Sequence, residues 1–233
     1  MKNMQHSEID KQKQQSDVQR YRWQKARITE LLAGVAAGDA NQARELASLV
    51  ESHKRGWMAL KLYRSKVPPL PFSAYLEMAW VMSHASVIRA AGSRAELARL
   101  FEYAQFDIPK TLPESITCWR GTTGVSVARA RQGISWSLSR DVAAWFATAR
   151  GSTQLLLKTT VPRSHILFYS DDRLEKEVVL ARPPKIVVVD RDIDDWKLCA
   201  DRYASECRVA RTILLCQLKP VFDSVDAVAH SVD

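Results

Sequence analysis

No stretch of these 233 residues approaches the roughly 20 consecutive apolar residues that cross a bilayer, so no membrane-spanning helix is expected. The first twenty residues carry Gln, Lys and Asp where an export signal carries an apolar segment. The expected location is therefore cytoplasmic, or the interior of a target cell reached without a signal peptide. The four cysteines, Cys118, Cys199, Cys207 and Cys216, show no C-x-x-C spacing, and the five histidines form no H-x-x-x-H. Neither a zinc site nor a disulfide framework is indicated, no metal is expected, and the cysteines read as reduced core thiols. No G-x-G-x-x-G or Walker loop occurs, which removes the common phosphate cradles, and there is no internal repeat. What is present is an ordinary globular balance of 46% hydrophobic and 26% charged residues, which excludes a disordered or fibrous chain.

The net charge of +8 is unevenly placed. Through Leu112 there are 17 Lys and Arg against 11 Asp and Glu, whereas the remainder has 17 against 15. The excess concentrates between Lys11 and Arg27 and in His53-Lys54-Arg55. Such a surface attracts phosphates through a sequence-independent, salt-sensitive force. It serves equally as a solvated helix face, so charge alone assigns no nucleic-acid partner.

Hydrophobic periodicity divides the chain. From Asn41 to Lys66, Ala43, Leu46, Ala47, Val50, Trp57 and Leu60 recur at three- and four-residue steps, predicting one helix with one buried face. Prolines at 68, 69 and 71 end it. An apolar helix follows from Phe72 to Ala91, and Ser93-Arg94-Ala95-Glu96 reads as a capping box opening another, to about Phe106. After Pro113 the pattern changes to short β-prone runs: 116–119, 134–138, 154–161, 166–169, 177–180, 186–189 and 212–218. One helix, Arg140–Ala149, interrupts them. Helices followed by strands predict an α+β fold. The expected organisation is a flexible polar terminus over 1–16, a helical domain over 17–110, a sheet domain over 111–220 and a tail over 221–233.

Three signals in the second half carry chemistry. Cys118-Trp119-Arg120-Gly121 ends the first strand, and Ser135-Trp136-Ser137 runs directly into an amphipathic helix. Glu175-Lys176-Glu177 lies between Ile166-Leu167-Phe168-Tyr169 and Val178-Val179-Leu180. Each is cheap by itself. Their order, their strand-boundary positions and the helix directly after the serines make the conjunction informative. Together they resemble the R-S-E class of mono-ADP-ribosyltransferases, the fold of many bacterial toxins and arginine-modifying enzymes, over roughly Ser115 to Leu218.

That resemblance implies a helical domain ahead of a mixed β-sheet core, and NAD as substrate with no metal. Cleavage of the nicotinamide–ribose bond passes through an oxocarbenium-like centre, which a nearby carboxylate stabilises. The family pattern assigns that role to Glu177, and the grip on the NAD phosphate and ribose to the planar, permanently charged fork of Arg120. The backbone of Gly121 would meet the nicotinamide amide, and Ser135 would hold the catalytic carboxylate. Trp136, Ser137 and Phe146 complete the expected cofactor-binding set, with Phe146, then Trp136 or Tyr169, as candidates to stack on nicotinamide. Glu175, two residues before Glu177, goes in this family with arginine as acceptor, and Asp171 and Asp172 beside it would draw a cation.

Two departures from the pattern stand out. Trp136 occupies a position where many members have Thr, and Arg150-Gly151-Ser152 is a very short loop to close over NAD. The expectation is therefore a toxin- or effector-like transferase acting on protein arginine, with an inhibitor or antitoxin docking on the helical half. The alternatives are RNA or DNA as acceptor, in a toxin–antitoxin or anti-phage role, and a basic nucleic-acid-binding protein with an inactive transferase domain.

Overall fold

The computed structural model describes residues 2–149 and 153–210, with side chains from Val18 onward. The chain divides into two compact units, Met1–Asp107 and Ile108–Asp233. The expected loop at Arg150-Gly151-Ser152, the expected strand over 212–218, Cys216 and the tail over 221–233 lie outside the described residues. Among the described residues no helix is long and apolar enough to cross a membrane.

The first unit is helical: α1 (Lys2–Ala36), α2 (Ala40–Leu49), α3 (Arg55–Arg64), α4 (Pro69–Ala91) and α5 (Arg94–Ala104). The polar stretch expected as a flexible terminus is continuous with α1. Neither proline nor glycine occurs before Gly34, so nothing interrupts the backbone ladder. The single helix expected from Asn41 to Lys66 is two. Val50 is extended and closes α2, and a turn over 51–54 precedes α3.

Arg55 explains the break. Its side chain is buried, its Nε donates to the Ala47 carbonyl at 2.8 Å and its Nη1 to Ser83 Oγ at 2.8 Å. It thus satisfies a carbonyl at the end of α2, where backbone acceptors lack helical partners. Gly56 allows the close approach behind it: a Cβ there would lie 2.1 Å from the Ser86 carbonyl oxygen of α4. Trp57, expected in the buried face, is instead exposed. Ser93 caps α5 as its sequence predicts, accepting from the Glu96 amide at 3.1 Å. The core comprises Leu31, Leu46, Leu60, Phe72, Trp80 and Phe101 with their neighbours.

Among the described residues, the second unit is a six-stranded sheet flanked by helices. Its elements are β1 (Ser115–Thr123), α6 (Val127–Arg131), β2 (Ser135–Ser137), α7 (Arg140–Thr148), β3 (Gln154–Pro162), β4 (Ile166–Ser170), β5 (Glu177–Leu180) and β6 (Val188–Asp190). A further helix, α8, covers residues 193–210 of the described chain. The α+β class is as expected. Where a mixed sheet was expected, however, every described strand pair is antiparallel, in the order β4–β5–β2–β1–β3–β6. No described connection supplies the crossover a parallel pair needs between neighbours.

The ladders are unequal. β1 and β3 pair along nine positions, whereas β1 and β2 share only Trp119↔Ser137. The sheet is therefore two three-stranded halves joined at one point. One face packs Ile116, Cys118, Trp136, Leu157, Val178 and Leu180 together. The other is covered by α7 and α8 through Ala143, Ala144, Ala147, Trp196 and Cys199 around Leu156.

Helix α8 went unread in the sequence, although Trp196, Cys199, Ala200 and Tyr203 fall at helical spacing and are buried. Asp192 opens it by accepting from the Asp195 amide at 3.4 Å. A charged network fastens it to α7. Arg140 donates through Nε to Asp190 at 2.8 Å and through Nη1 to Asp195 and, at 3.2 Å, to Cys199 Sγ. Arg202 grips Asp141 with two bonds of 2.9 and 2.8 Å, and Trp196 Nε1 donates to Asp190 at 3.0 Å. Cys118, Cys199 and Cys207 are free thiols. Burial pushes Cys118 up to about 12 and Cys199 up to about 11, so neither is a thiolate at neutral pH.

Candidate active site

Beyond the Trp119↔Ser137 pair, β1 and β2 part, and the sequence-predicted polar residues collect at this parting. Arg120 follows Trp119 on β1, and its Nη1 donates to the main-chain carbonyl of Ser135. A side chain thus takes a carbonyl from which backbone pairing has withdrawn. Its Nε is buried without a hydrogen-bond partner. Burial pushes the Arg120 guanidinium below its usual range, while the charge of Glu177 acts in the opposite direction. Arg120 as a whole is half-buried, and its unmet Nε is enclosed beside Gly133.

Gly133 makes that placement possible. A Cβ at Gly133 would lie 2.2 Å from Cζ of Arg120, so only glycine leaves room for the guanidinium. Nothing in the motif reading pointed to Gly133; its position two residues before Ser135 was the available signal.

Alternation along β2 separates its three residues. Ser135 and Ser137 face Glu177, while Trp136 turns into the core, 2% exposed, with Nε1 donating to the Gly133 carbonyl at 2.9 Å. Trp136 was expected to contact NAD. Its place is structural: the indole fills the sheet core. Ser135 Oγ donates to Glu177 Oε1 at 2.5 Å. Ser137 Oγ donates to the main-chain carbonyl of Glu175 at 2.6 Å and accepts from the Ser139 amide at 2.9 Å. One serine therefore aims the carboxylate, and the other fixes the loop that carries its neighbour.

The loop is strained. Leu174 and Lys176 have φ of 59° and 44°, the left-handed region that side chains disfavour, at a cost on the order of 1–3 kcal/mol each. Surrounding bonds hold it. The Leu138 amide donates to the Lys176 carbonyl at 2.9 Å, the Leu174 amide to the Asp171 carbonyl at 2.9 Å, and the Lys176 amide to Asp171 Oδ1 at 3.3 Å. Between the two strained residues, Glu175 is turned toward the same side as Glu177. Asp171 and Asp172, expected to draw a cation, are exposed, and Asp171 spends one oxygen on the loop itself.

Arg173 stands between the two carboxylates. Its Nη2 donates to Glu175 Oε2 at 2.8 Å and lies 3.7 Å from Glu177 Oε2. The Tyr203 hydroxyl of α8 donates to the Arg173 carbonyl at 3.3 Å. Glu177 is buried, and burial raises the Glu175 carboxyl above its usual range, with Arg173 opposing the rise and Glu177 adding to it. Neither Arg173 nor Tyr203 was singled out in the sequence. An arginine two and four residues ahead of the paired glutamates was the legible clue.

Gly121 has a second reason to be glycine. A Cβ there would meet the Ala143 carbonyl oxygen of α7 at 1.6 Å, so the missing side chain admits helix packing against β1. Phe146 is exposed on α7, its ring 5.0 Å from Trp145 in an edge-on contact, and Trp145 in turn lies 5.8 Å from Tyr203. Tyr169 packs partly against the sheet core. The structure thus joins Arg120, Ser135, Glu175 and Glu177, with Ser137 beneath them. It sends Trp136 to the core.

No family model, no curated protein and no solved structure matches the chain.

Proposed function

We propose that the protein is an NAD-dependent mono-ADP-ribosyltransferase, toxin- or effector-like, that transfers ADP-ribose to arginine on a protein. The observation that carries this reading is the Ser135–Glu177 hydrogen bond, with Arg120 anchored on the Ser135 carbonyl beside it. A buried carboxylate held at fixed direction supports a developing positive centre better than a mobile one, because no reorganisation is needed when charge appears. Glu177 would face the ribose, its second oxygen accepting from the 2′-hydroxyl. Arg120 would bind the phosphate and ribose side of NAD. Glu175 would orient the acceptor guanidinium and take its proton as the new bond forms.

The acceptor reading rests on the second carboxylate. Three cations of the helical unit have partners inside it. Arg55 is buried, Arg27 pairs with Glu45 at 2.8 and 2.7 Å, and Lys54 pairs with Glu51 at 2.8 Å. These cations are engaged within the fold, whereas Arg22 and Lys25 on α1 are exposed, so the preference for a guanidinium acceptor over RNA or DNA rests on Glu175.

The test is incubation of purified protein with isotopically labelled NAD and cell lysate, followed by separate mass spectrometry of protein and nucleic-acid fractions. Label on a protein arginine, absent with Glu177→Gln, is expected. Label in nucleic acid would keep the enzyme class and refute the acceptor assignment. Absence of both label and nicotinamide release would leave the binding-module alternative in its place.

A further inference from the structure

Arg173 occupies a position with a meaning of its own if Glu175 and Glu177 do what is proposed above, and the following rests on that reading. Among the described arginines with carboxylate partners, three use two or more nitrogens or carboxylates. Arg140 is shared by Asp190 and Asp195, Arg202 is held by both oxygens of Asp141, and Arg27 is bidentate on Glu45. Arg173 differs. A single nitrogen, Nη2, faces both glutamates, at 2.8 Å from one and 3.7 Å from the other, and the residue is otherwise exposed on its loop. That is a guanidinium nitrogen on the carboxylate that would activate an acceptor, within one atom's width of the carboxylate that would stabilise the ribose cation. The strained residues 174 and 176, pinned by Ser137, Leu138 and Asp171, hold this arrangement rather than leave it to loop motion.

We infer that Arg173 is itself an acceptor, a modification site at which the protein attaches ADP-ribose to its own chain in cis. The step balances. The bond between nicotinamide N1 and ribose C1′ breaks with its electron pair leaving on nicotinamide. A nitrogen of the Arg173 guanidinium gives its pair to C1′. The proton released from that nitrogen passes to Glu175 and then to water. The products are ADP-ribosylated Arg173, nicotinamide and a proton. Proximity favours this nitrogen over any arginine that must arrive by diffusion, because it already stands beside both glutamates.

The experiment is incubation of the full chain with NAD and a small free guanidine, with nicotinamide release, guanidine labelling and peptide mapping read in parallel. The expected result is label confined to the peptide bearing Arg173, at a rate per molecule independent of protein concentration. Glu177→Gln protein mixed with the active chain should stay unlabelled, since cis attachment cannot cross molecules. Arg173→Lys should lose the chain label. Nicotinamide release and labelling of the free guanidine without label on Arg173 would overturn the inference while leaving the proposed function standing. Label on the Glu177→Gln chain in the mixture would overturn the cis step. No nicotinamide release from the unaltered protein would refute both this inference and the reading beneath it.

Discussion

Two clusters of charge sit in the same sheet unit and are built on opposite rules. Around Arg140 and Arg202, each guanidinium is paired with carboxylates, and Asp141, Asp190 and Asp195 are all held below their usual range. For Asp141 and Asp195 the chief cause is the arginine hydrogen bond; for Asp190, hydrogen bonds from Arg140 and Trp196 overcome burial. Around Arg120 and Glu177 the matching is incomplete. Arg120 keeps an unmet Nε, Glu175 is raised rather than lowered, and two backbone residues are strained. A network whose donors and acceptors cancel holds elements together, and this one clamps α8 to α7. A cluster with an unmet donor and a destabilised charge is matched less completely by the fold itself. The difference marks the cluster around Arg120 and Glu177 as the candidate site.

The widest break in that comparison is expected at Glu177. Glu177→Gln preserves size and one acceptor for Ser135 but removes the charge. Nicotinamide release from NAD should fall by about 10²–10³-fold, the usual loss for one positioned electrostatic group, with little change in thermal midpoint. Undiminished release would remove Glu177 from the chemistry. The same operation on the fastening should reverse the pattern. Arg140→Met strips Asp190 of its charge-assisted partner and should cost about 2 kcal/mol of folding stability, read as a lower denaturant midpoint at unchanged slope. Nicotinamide release per folded molecule should move far less than for Glu177→Gln. Arg140 also lies over the Trp119 ring, 5.7 Å from its centroid, so part of that loss is aromatic contact rather than ion pairing.

How far the sequence disclosed this arrangement depends on the range of the interaction. Strands β1 to β5 were legible because alternation and β-branched runs are local, and Ser93 declared its helix through a cap three residues long. The pairing of Ser135 with Glu177 was readable only as an order of motifs, since a contact across 42 positions has no local signature. Trp136 shows the limit well. It stands between two polar residues that face the carboxylate, and strand parity alone places its ring in the core, yet motif position suggested a ligand contact. Arg55 is the complementary case. A basic run reads as solvent-facing until the carbonyls at the end of α2 claim one of its members. Gly133 and α8 were missed for different reasons. The first is justified only by another residue's side chain, and the second begins with charged residues that mask its periodicity.

Gly133 offers a sharper cut than removing Arg120 itself. In Gly133→Ala the new methyl would occupy the volume of the guanidinium, so Arg120 must leave the Ser135 carbonyl while its charge remains in the protein. Losing one charge-assisted contact to NAD should raise KM for NAD by about tenfold or more, with a smaller change in kcat. An unchanged KM would mean that Arg120 supports the sheet opening rather than the substrate. The comparison would then lose one of its two anchors.

The smallest effect expected is also the one that tests the opposed directions of the carboxylates. Glu175 is raised by burial, so its charged form is costly in the folded state, and Arg173 offsets only part of that cost. A raised carboxyl stabilises the fold fully when pH is below its unfolded value, and this contribution is lost as pH rises through the folded value. Asp141, Asp190 and Asp195 have the reverse sign: their contribution is present above the unfolded value and lost as pH falls through their depressed ones. Glu175→Gln should therefore be slightly more stable than the unaltered protein at neutral pH, and the gap should close as acid protonates Glu175. Over the same titration both proteins should lose stability together as the fastening around Arg140 is protonated. Thermal midpoints of the pair across the carboxylate range measure both trends at once. A gap that widened in acid would show that Glu175 is stabilised by Arg173 more than it is penalised by burial. The distinction between a saturated network and an unsaturated site would then rest on Arg120 alone.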